Sequence, residues 1–219
     1  IMPYEHAKAI LEIEQDIPLT DLEQVLPYPM ARDILLDAPP DITLYDCACR
    51  ARRENPCEPT MVCLVIGQPF ADFVLEHTPT TRRTITRHAA LTILREQRDR
   101  GHMHAAWFRK ICMDRFYCIC NCCSCCCAGI EGMTRLGTPM MTPSGFAAQV
   151  DGETCRGCGT CERVCLFGAR TVDGTSQLDW DTCMGCGVCV DRCPSGATRL
   201  VRDPGKGQPL DVRQLTGKG

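Results

Sequence analysis

Two runs of cysteine with identical spacing constrain this chain more than any other feature. Cys155, Cys158, Cys161 and Cys165 are spaced C-x-x-C-x-x-C-x-x-x-C, and Cys183, Cys186, Cys189 and Cys193 repeat that spacing 28 residues later. The repeat extends beyond the cysteines: Asp151 aligns with Asp179, Thr154 with Thr182, Gly168 with Gly196 and Ala169 with Ala197. Leu166 departs from it, standing where the second run has Pro194. A loop with two residues between successive cysteines curves tightly enough to bring three thiolates around one metal core. Its backbone N–H groups then point inward, and glycines such as Gly157 and Gly185 let the backbone come close. The loop has by then run out of curvature, so the fourth thiolate must come from elsewhere.

These runs resemble the ligand pattern of the two-cluster bacterial-type ferredoxins, over about residues 150–201. The resemblance implies two [4Fe–4S] clusters and one-electron transfer. In that motif the fourth cysteine of each run ligates the other cluster. The implied sets are therefore Cys155, Cys158, Cys161 and Cys193 for one cluster, and Cys183, Cys186, Cys189 and Cys165 for the other. Proline at the 194 position ligates nothing, so Leu166 leaves both sets intact. The resemblance also implies a small pseudo-twofold module of short strands and helices, with its clusters close enough for tunnelling. A pair of zinc sites is the competing reading of paired C-x-x-C runs; two full copies of the four-cysteine spacing weigh against it.

A second cysteine field lies upstream. Cys47, Cys49, Cys57 and Cys63 are followed by Cys112, Cys118, Cys120, Cys122, Cys123, Cys125, Cys126 and Cys127. Residues 120–127 read C-N-C-C-S-C-C-C, six thiols in eight residues. Free cysteine packs as a small hydrophobe, but no core needs adjacent ones. In an extended chain neighbouring side chains point to opposite faces, so this run presents thiols in two directions. It can serve two metal centres at once, with Cys47, Cys49, Cys57 and Cys63 completing the shells. The candidate ligands are these four with Cys120, Cys122, Cys123, Cys125, Cys126 and Cys127; Cys112 and Cys118 are the first to leave out. Two further [4Fe–4S] clusters are the leading expectation. One unusual, non-cubane iron–sulfur cluster, zinc or another structural metal, and free or disulfide cysteine are the alternatives. Arg50, Arg52 and Arg53 follow the C-x-C pair; their charge favours the reduced state of a nearby cluster. His102 and His104 are possible ligands, with exposed imidazoles on a strand as the plainer expectation. The block, over about residues 25–130, is similar to a module preceding ferredoxin domains in anaerobe iron–sulfur proteins, on Cys47 to Arg50, Gly101 to His104 and Cys120 to Cys127. That similarity implies shared architecture and no particular activity.

Cysteine makes up 20 of 219 residues. In a small secreted protein that density would signal a disulfide framework. Here the spacing signals metal, and iron-holding thiolates call for a reducing compartment, so the expected location is the cytoplasm of an anaerobic or microaerobic cell. Residues 1–14 lack the basic start and apolar core of a secretory signal, and no apolar run reaches the length of a membrane span. Aromatics are 5% of residues, so metal binding must supply much of the folding energy. Net charge is -3, but residues 1–46 carry ten acids against Lys8 and Arg32, and residues 82–115 carry nine Lys or Arg against Glu96, Asp99 and Asp114. Opposite charge blocks suit docking to partners; ordinary solvated helix faces explain each block equally well.

The pattern predicts helices over 3–15, from an N-cap at Thr20 to Pro27, over 30–37, in part over 60–77, and from Thr86 to Arg100 with Gly101 as its stop. Ile42 to Tyr45 and His102 to Phe108 read as strands. The fold class expected is α+β: a ferredoxin-like two-cluster module after a mainly helical, cysteine-rich metal-binding domain. The expected divisions are a helical docking or scaffold segment over 1–46, the cysteine-rich domain over 47–149, the two-cluster domain over 150–201 and an extended tail over 202–219. The function expected is electron transfer, as a subunit or dedicated partner of a larger oxidoreductase complex. An iron–sulfur reductase with a substrate-active upstream cluster and a redox-sensing nucleic-acid binder are the alternatives. No Gly-x-Gly-x-x-Gly dinucleotide fingerprint and no catalytic triad is present, so no catalytic residue is assigned.

Overall fold

The computed structural model describes residues 23–37, 40–78, 82–109 and 115–210. The helix expected over 3–15, the cap at Thr20, Cys112 and residues 211–219 of the tail lie outside them. The elements run β1 (Glu23–Leu26), α1 (Tyr28–Asp37), β2 (Ile42–Asp46), α2 (Ala48–Ala51), β3 (Met61–Ile66), α3 (Phe70–His77), β4 (Arg82–Ile85), α4 (Arg87–Asp99), β5 (Met103–Arg109), β6 (Arg115–Cys122), α5 (Ala128–Leu136) and β7 (Met141–Thr142). The second part follows as β8 (Phe146–Val150), α6 (Thr160–Arg163), β9 (Arg170–Asp173), β10 (Thr175–Leu178), α7 (Val188–Asp191) and β11 (Thr198–Arg202).

Seven strands form one sheet in the order β4-β2-β3-β6-β5-β1-β7. The expectation of a mainly helical upstream domain is thereby corrected: strands dominate it. Part of 60–77 is helical as expected, as α3, but two segments compatible with helix are strands. Met61 to Ile66 is an unbroken apolar run, a pattern a buried strand shares with a buried helix. Glu23 to Leu26, expected in a helix capped at Thr20, is a strand, paired with β5 through Gln24–Ala106, Val25–Ala105 and Leu26–His104. β1 and β2 both belong to this sheet, which therefore runs across residue 46. Helix α4 forms as expected: the Thr86 hydroxyl accepts from Ala89 N at 3.2 Å, and Gly101 takes the left-handed conformation at φ 81°.

The sheet separates two chemistries. One face packs Leu26, Ile42, Leu44, Leu64, Ala106 and Ile119 against Ile34 and Leu35 of α1 and Ala90 and Leu94 of α4. The other face carries residues of alternate parity. Val25, Met103, Ala105 and Cys122 pack there with Cys127 and Ile130, and against Phe167, Met184 and Val188 of the second part. Strand periodicity therefore sends β6 aliphatics one way and β6 thiols the other.

The second part is built as a repeat. Helices α6 and α7 occupy positions 28 residues apart, each after a left-handed glycine, Gly159 at φ 71° and Gly187 at φ 83°. Strand β8 pairs with β11, and β9 with β10, both antiparallel. No helix among the described residues is long and apolar enough to cross a membrane.

Candidate metal centres

Two small cavities occupy the second part. One is lined by Cys155, Cys158, Cys161 and Cys193 with Ser176 and Ser195. The other is lined by Cys165, Cys183, Cys186 and Cys189 with Phe167 and Arg170. Each cavity thus gathers three cysteines of one run and the fourth of the other. The backbone fits around these cores only with glycine: a Cβ at Gly157 would collide with the carbonyl oxygen of Gly174, and one at Gly185 with that of Phe146. Donors face the sulfurs. Ala169 N–H reaches Cys165 Sγ at 3.2 Å, and the guanidinium of buried Arg170 reaches Cys189 Sγ at 3.9 Å. Burial pushes the Cys186 thiol up. It also pushes up Cys193, but hydrogen bonds from Ser195, Thr198 and Ala197 outweigh it and bring Cys193 to about 7. Converging thiols, inward N–H groups and small cavities fit an iron–sulfur core.

Residues 154–197 match the family model described as a 4Fe-4S dicluster domain. This segment is an iron–sulfur electron-transfer domain. The match includes all eight cysteines of the two cavities. No curated protein matches the chain.

A larger cavity, of about 140 Å³, lies in the upstream part. Its wall includes Cys47, Cys49, Cys63, Cys120, Cys122 and Cys127, together with Arg50, Trp107, Cys123 and Gly129. Side-chain interactions link Cys47 to Cys49 and Cys63, Cys63 to Cys120, Cys120 to Cys122, Cys122 to Cys127, and Cys127 back to Cys49. The six thiols therefore close a ring. Its members come from four elements: the start of α2, β3, β6 and the start of α5. The interaction with Cys127 drives the Cys49 thiol down, with help from Ala128 N–H in the first turn of α5. The interaction with Cys49 drives Cys47 up. Its ring partners Cys120 and Cys127, and then burial, raise Cys122 as well. Such a set of thiols at close quarters calls for positive charge to hold them as thiolates. Trp107 Nε1 donates to Cys120 Sγ at 3.0 Å. Cys118 stands outside the cavity wall, 3.9 Å from Cys120 and bonded to the Tyr45 hydroxyl at 3.3 Å.

The remaining candidates gather separately. Cys57, Cys123 and Cys125 lie within 4.8 Å of one another. Cys126 Sγ is 3.5 Å from Cys125 Sγ and accepts from Cys57 N at 3.4 Å. The run 120–127 thus points in two directions, and Cys47, Cys49 and Cys63 join one group while Cys57 joins the other.

The arginines divide too. Arg50 is buried and donates to Pro59 O at 2.5 Å, Asn121 O at 3.0 Å and Gln97 Oε1 at 3.1 Å. No salt bridge to Arg50 occurs among the described residues. Arg52 and Arg53 instead pair with Glu131, at 3.5 and 2.5 Å. The histidines correct the expectation of exposed imidazoles. His104 is buried on the aliphatic face beside Tyr28, with Nδ1 2.7 Å from Asn121 Oδ1. Burial lowers it to about 4. His102 is half-buried, and burial with the charge of Arg50 lowers it to about 4. The role of Gln97, which meets both Arg50 and His102, had no signal in the sequence beyond its place on the apolar side of α4.

Proposed function

We propose that this protein carries single electrons between larger redox partners, as a subunit or dedicated partner of an oxidoreductase. In this reading Cys155, Cys158, Cys161 and Cys193 hold one [4Fe–4S] cluster, and Cys165, Cys183, Cys186 and Cys189 hold the second. The ring of Cys47, Cys49, Cys63, Cys120, Cys122 and Cys127 holds a third iron–sulfur centre. Residues 47–149 then form the cysteine-rich unit, with 1–46 a scaffold that completes its sheet through β1 and β2, 150–201 the two-cluster unit and 202–219 a tail. The observation that carries the reading is a shared core: ring cysteines Cys122 and Cys127 pack in one apolar cluster with Phe167, just after the first cysteine run, and Met184 and Val188 of the second. Bound clusters supply the one-electron carriers. The chain's own residues hold the thiolates, keep water out of the path between cavities and set the charge around it. Six thiols exceed the four of a cubane, which also accommodates a non-cubane centre with more thiolate ligands.

Iron and sulfide quantification on anaerobically purified protein tests this. More than eight irons per chain are expected, about twelve if the third centre is a cubane. Cys120→Ser should remove only the iron above eight. Eight irons, unchanged by Cys120→Ser, would remove the third centre. Cys193→Ala should damage the cluster of Cys155, Cys158 and Cys161; selective damage to the Cys183 cluster would overturn the crossed assignment. Electron transfer from the partner should weaken with salt, since the screening length falls from about 10 Å at 0.1 M to about 3 Å at 1 M. Steady turnover of a small thiol or disulfide by the isolated chain would favour the reductase instead.

A further inference from the structure

The group formed by Cys57, Cys123 and Cys125 differs in size from every other thiol set here. Its three Sγ atoms all lie within 4.8 Å of one another, and no other three Cys, His, Asp or Glu ligand atoms among the described residues meet that spacing. Both dicluster quartets are therefore wider. A cubane interposes iron and sulfide between its thiolates and spreads them. A single tetrahedral ion with metal–sulfur bonds of about 2.3 Å holds its thiolates about 3.8 Å apart. The trio fits the second case.

A fourth donor lies against Cys57 alone and must swing inward to meet the other two, since it falls outside the 4.8 Å group. His102 Nε2 is 3.8 Å from Cys57 Sγ. The other ring nitrogen is 2.8 Å from Gln97 Oε1. Arg50 also meets Oε1, at 3.1 Å, and an arginine only donates, so the amide oxygen is the atom facing both. Arg50 Nη2 also lies 3.3 Å from His102 Nδ1, so Gln97 and Arg50 together fix the orientation of the ring. A metal-binding histidine is commonly oriented by such a partner on its far nitrogen. Cys126 Sγ, 3.5 Å from Cys125 Sγ, accepts from the N–H of Cys57 and is the competing fourth donor, which a His102 variant separates.

We propose that Cys57, Cys123, Cys125 and His102 Nε2 hold a single tetrahedral divalent cation, zinc by ligand chemistry, apart from the iron–sulfur centres. Three thiolates and one imidazole are a common structural zinc set. The ion ties the loop after α2 to the turn between β6 and α5. Both segments flank ring cysteines, so the ion braces the larger cavity. Cys123 also lines that cavity, so the two sites share a wall. The assignment does not depend on the electron-transfer reading.

Elemental analysis of the full chain, purified anaerobically, tests it. About one zinc per chain is expected beside the iron. Co2+ put in its place should give tetrahedral thiolate–cobalt absorption bands. Cys125 is exposed, so Cys125→Ser should fold; it should lose nearly all the zinc and keep its iron. His102→Ala should weaken Co2+ binding at least tenfold, with the dicluster EPR signals intact. Loss of about four irons in Cys125→Ser would make the site part of a cluster and overturn the proposal. Absence of zinc in wild type, with no cobalt bands, would overturn it as well. Full Co2+ affinity in His102→Ala would overturn the three-thiolate, one-imidazole site. Failure of the electron-transfer reading would show instead in the iron count and the partner assay, with the zinc unchanged.

Discussion

The two cysteine regions place thiols by opposite chain logics. In the dicluster domain eight thiols fall between residues 155 and 193, and each loop sets its own geometry through short spacing. In the upstream unit the six ring thiols come from residues 47 to 127, and their meeting depends on strand register. Stability follows the same division. Buried hydrophobic positions inside the dicluster domain are few, and Cys161, Cys183 and Cys189 are themselves part of that cluster with Ala148 and Ala169. The upstream sheet has an aliphatic core on the face away from its thiols. One region is held together by its proposed metal, the other holds its proposed metal in place.

The largest expected effect breaks this comparison if it fails. Metal–thiolate binding in small domains is worth about 10 kcal/mol or more of folding free energy. Stripping iron should therefore unfold the dicluster domain and leave the sheet. Hydrogen exchange should show β8 to β11 amides losing protection while β3, β5 and β6 keep theirs. Equal loss in both regions would mean that the sheet also depends on metal.

Glycine substitutions sharpen the local logic of the dicluster loops. Gly157→Ala and Gly185→Ala each force a Cβ onto a backbone carbonyl at positive φ, 60° and 64°. Each should cost about 1–3 kcal/mol or more and reduce iron in its own loop. Gly152, with nothing within 4 Å of a built Cβ, should accept alanine within about 0.5 kcal/mol. Thermal melts with iron analysis separate the three.

Charge provides a contrast of intermediate size. Arg50 lines the upstream cavity without a carboxylate partner among the described residues. At roughly 8 Å and an effective dielectric near 20, one charge is worth about 2 kcal/mol, or on the order of 90 mV for one electron. Arg50→Gln should lower the upstream midpoint potential by that order and leave the dicluster potentials nearly unmoved in a redox titration. Smallest of all, Thr86→Ala removes the α4 cap and should destabilise the sheet by about 1 kcal/mol without altering iron content.

The same division explains what was legible beforehand. The dicluster domain was readable because its ligand geometry is encoded within a few residues of each cysteine. Helix α4 was readable because Thr86, the apolar spacing and Gly101 agree. The seven-stranded sheet was not: Met61 to Ile66 is apolar on both parities, and Glu23 to Leu26 is a strand only because β5 and β7 flank it. That the upstream run faces two ways was visible in its periodicity. Which of Cys47, Cys49, Cys57 and Cys63 joins which group was not, because that depends on the path of the loop between α2 and β3. Buried Arg50, between a cysteine pair and the more exposed Arg52 and Arg53, carries no local mark of its burial.

The alternation of Ile119 with Cys120 and Cys122 along β6 also implies an order of assembly. Water expulsion from the aliphatic face needs no metal, so that face can close on an iron-free chain and hold the thiols open in a fixed array, as a jig holds parts before joining. Iron delivered at that stage meets a preformed template instead of a loose peptide. Phe167, Met184 and Val188 then seal the thiol face, but only after their own loops have wrapped iron. On the proposed reading the upstream centre is the first to be filled and the dicluster domain the stopper fitted afterwards.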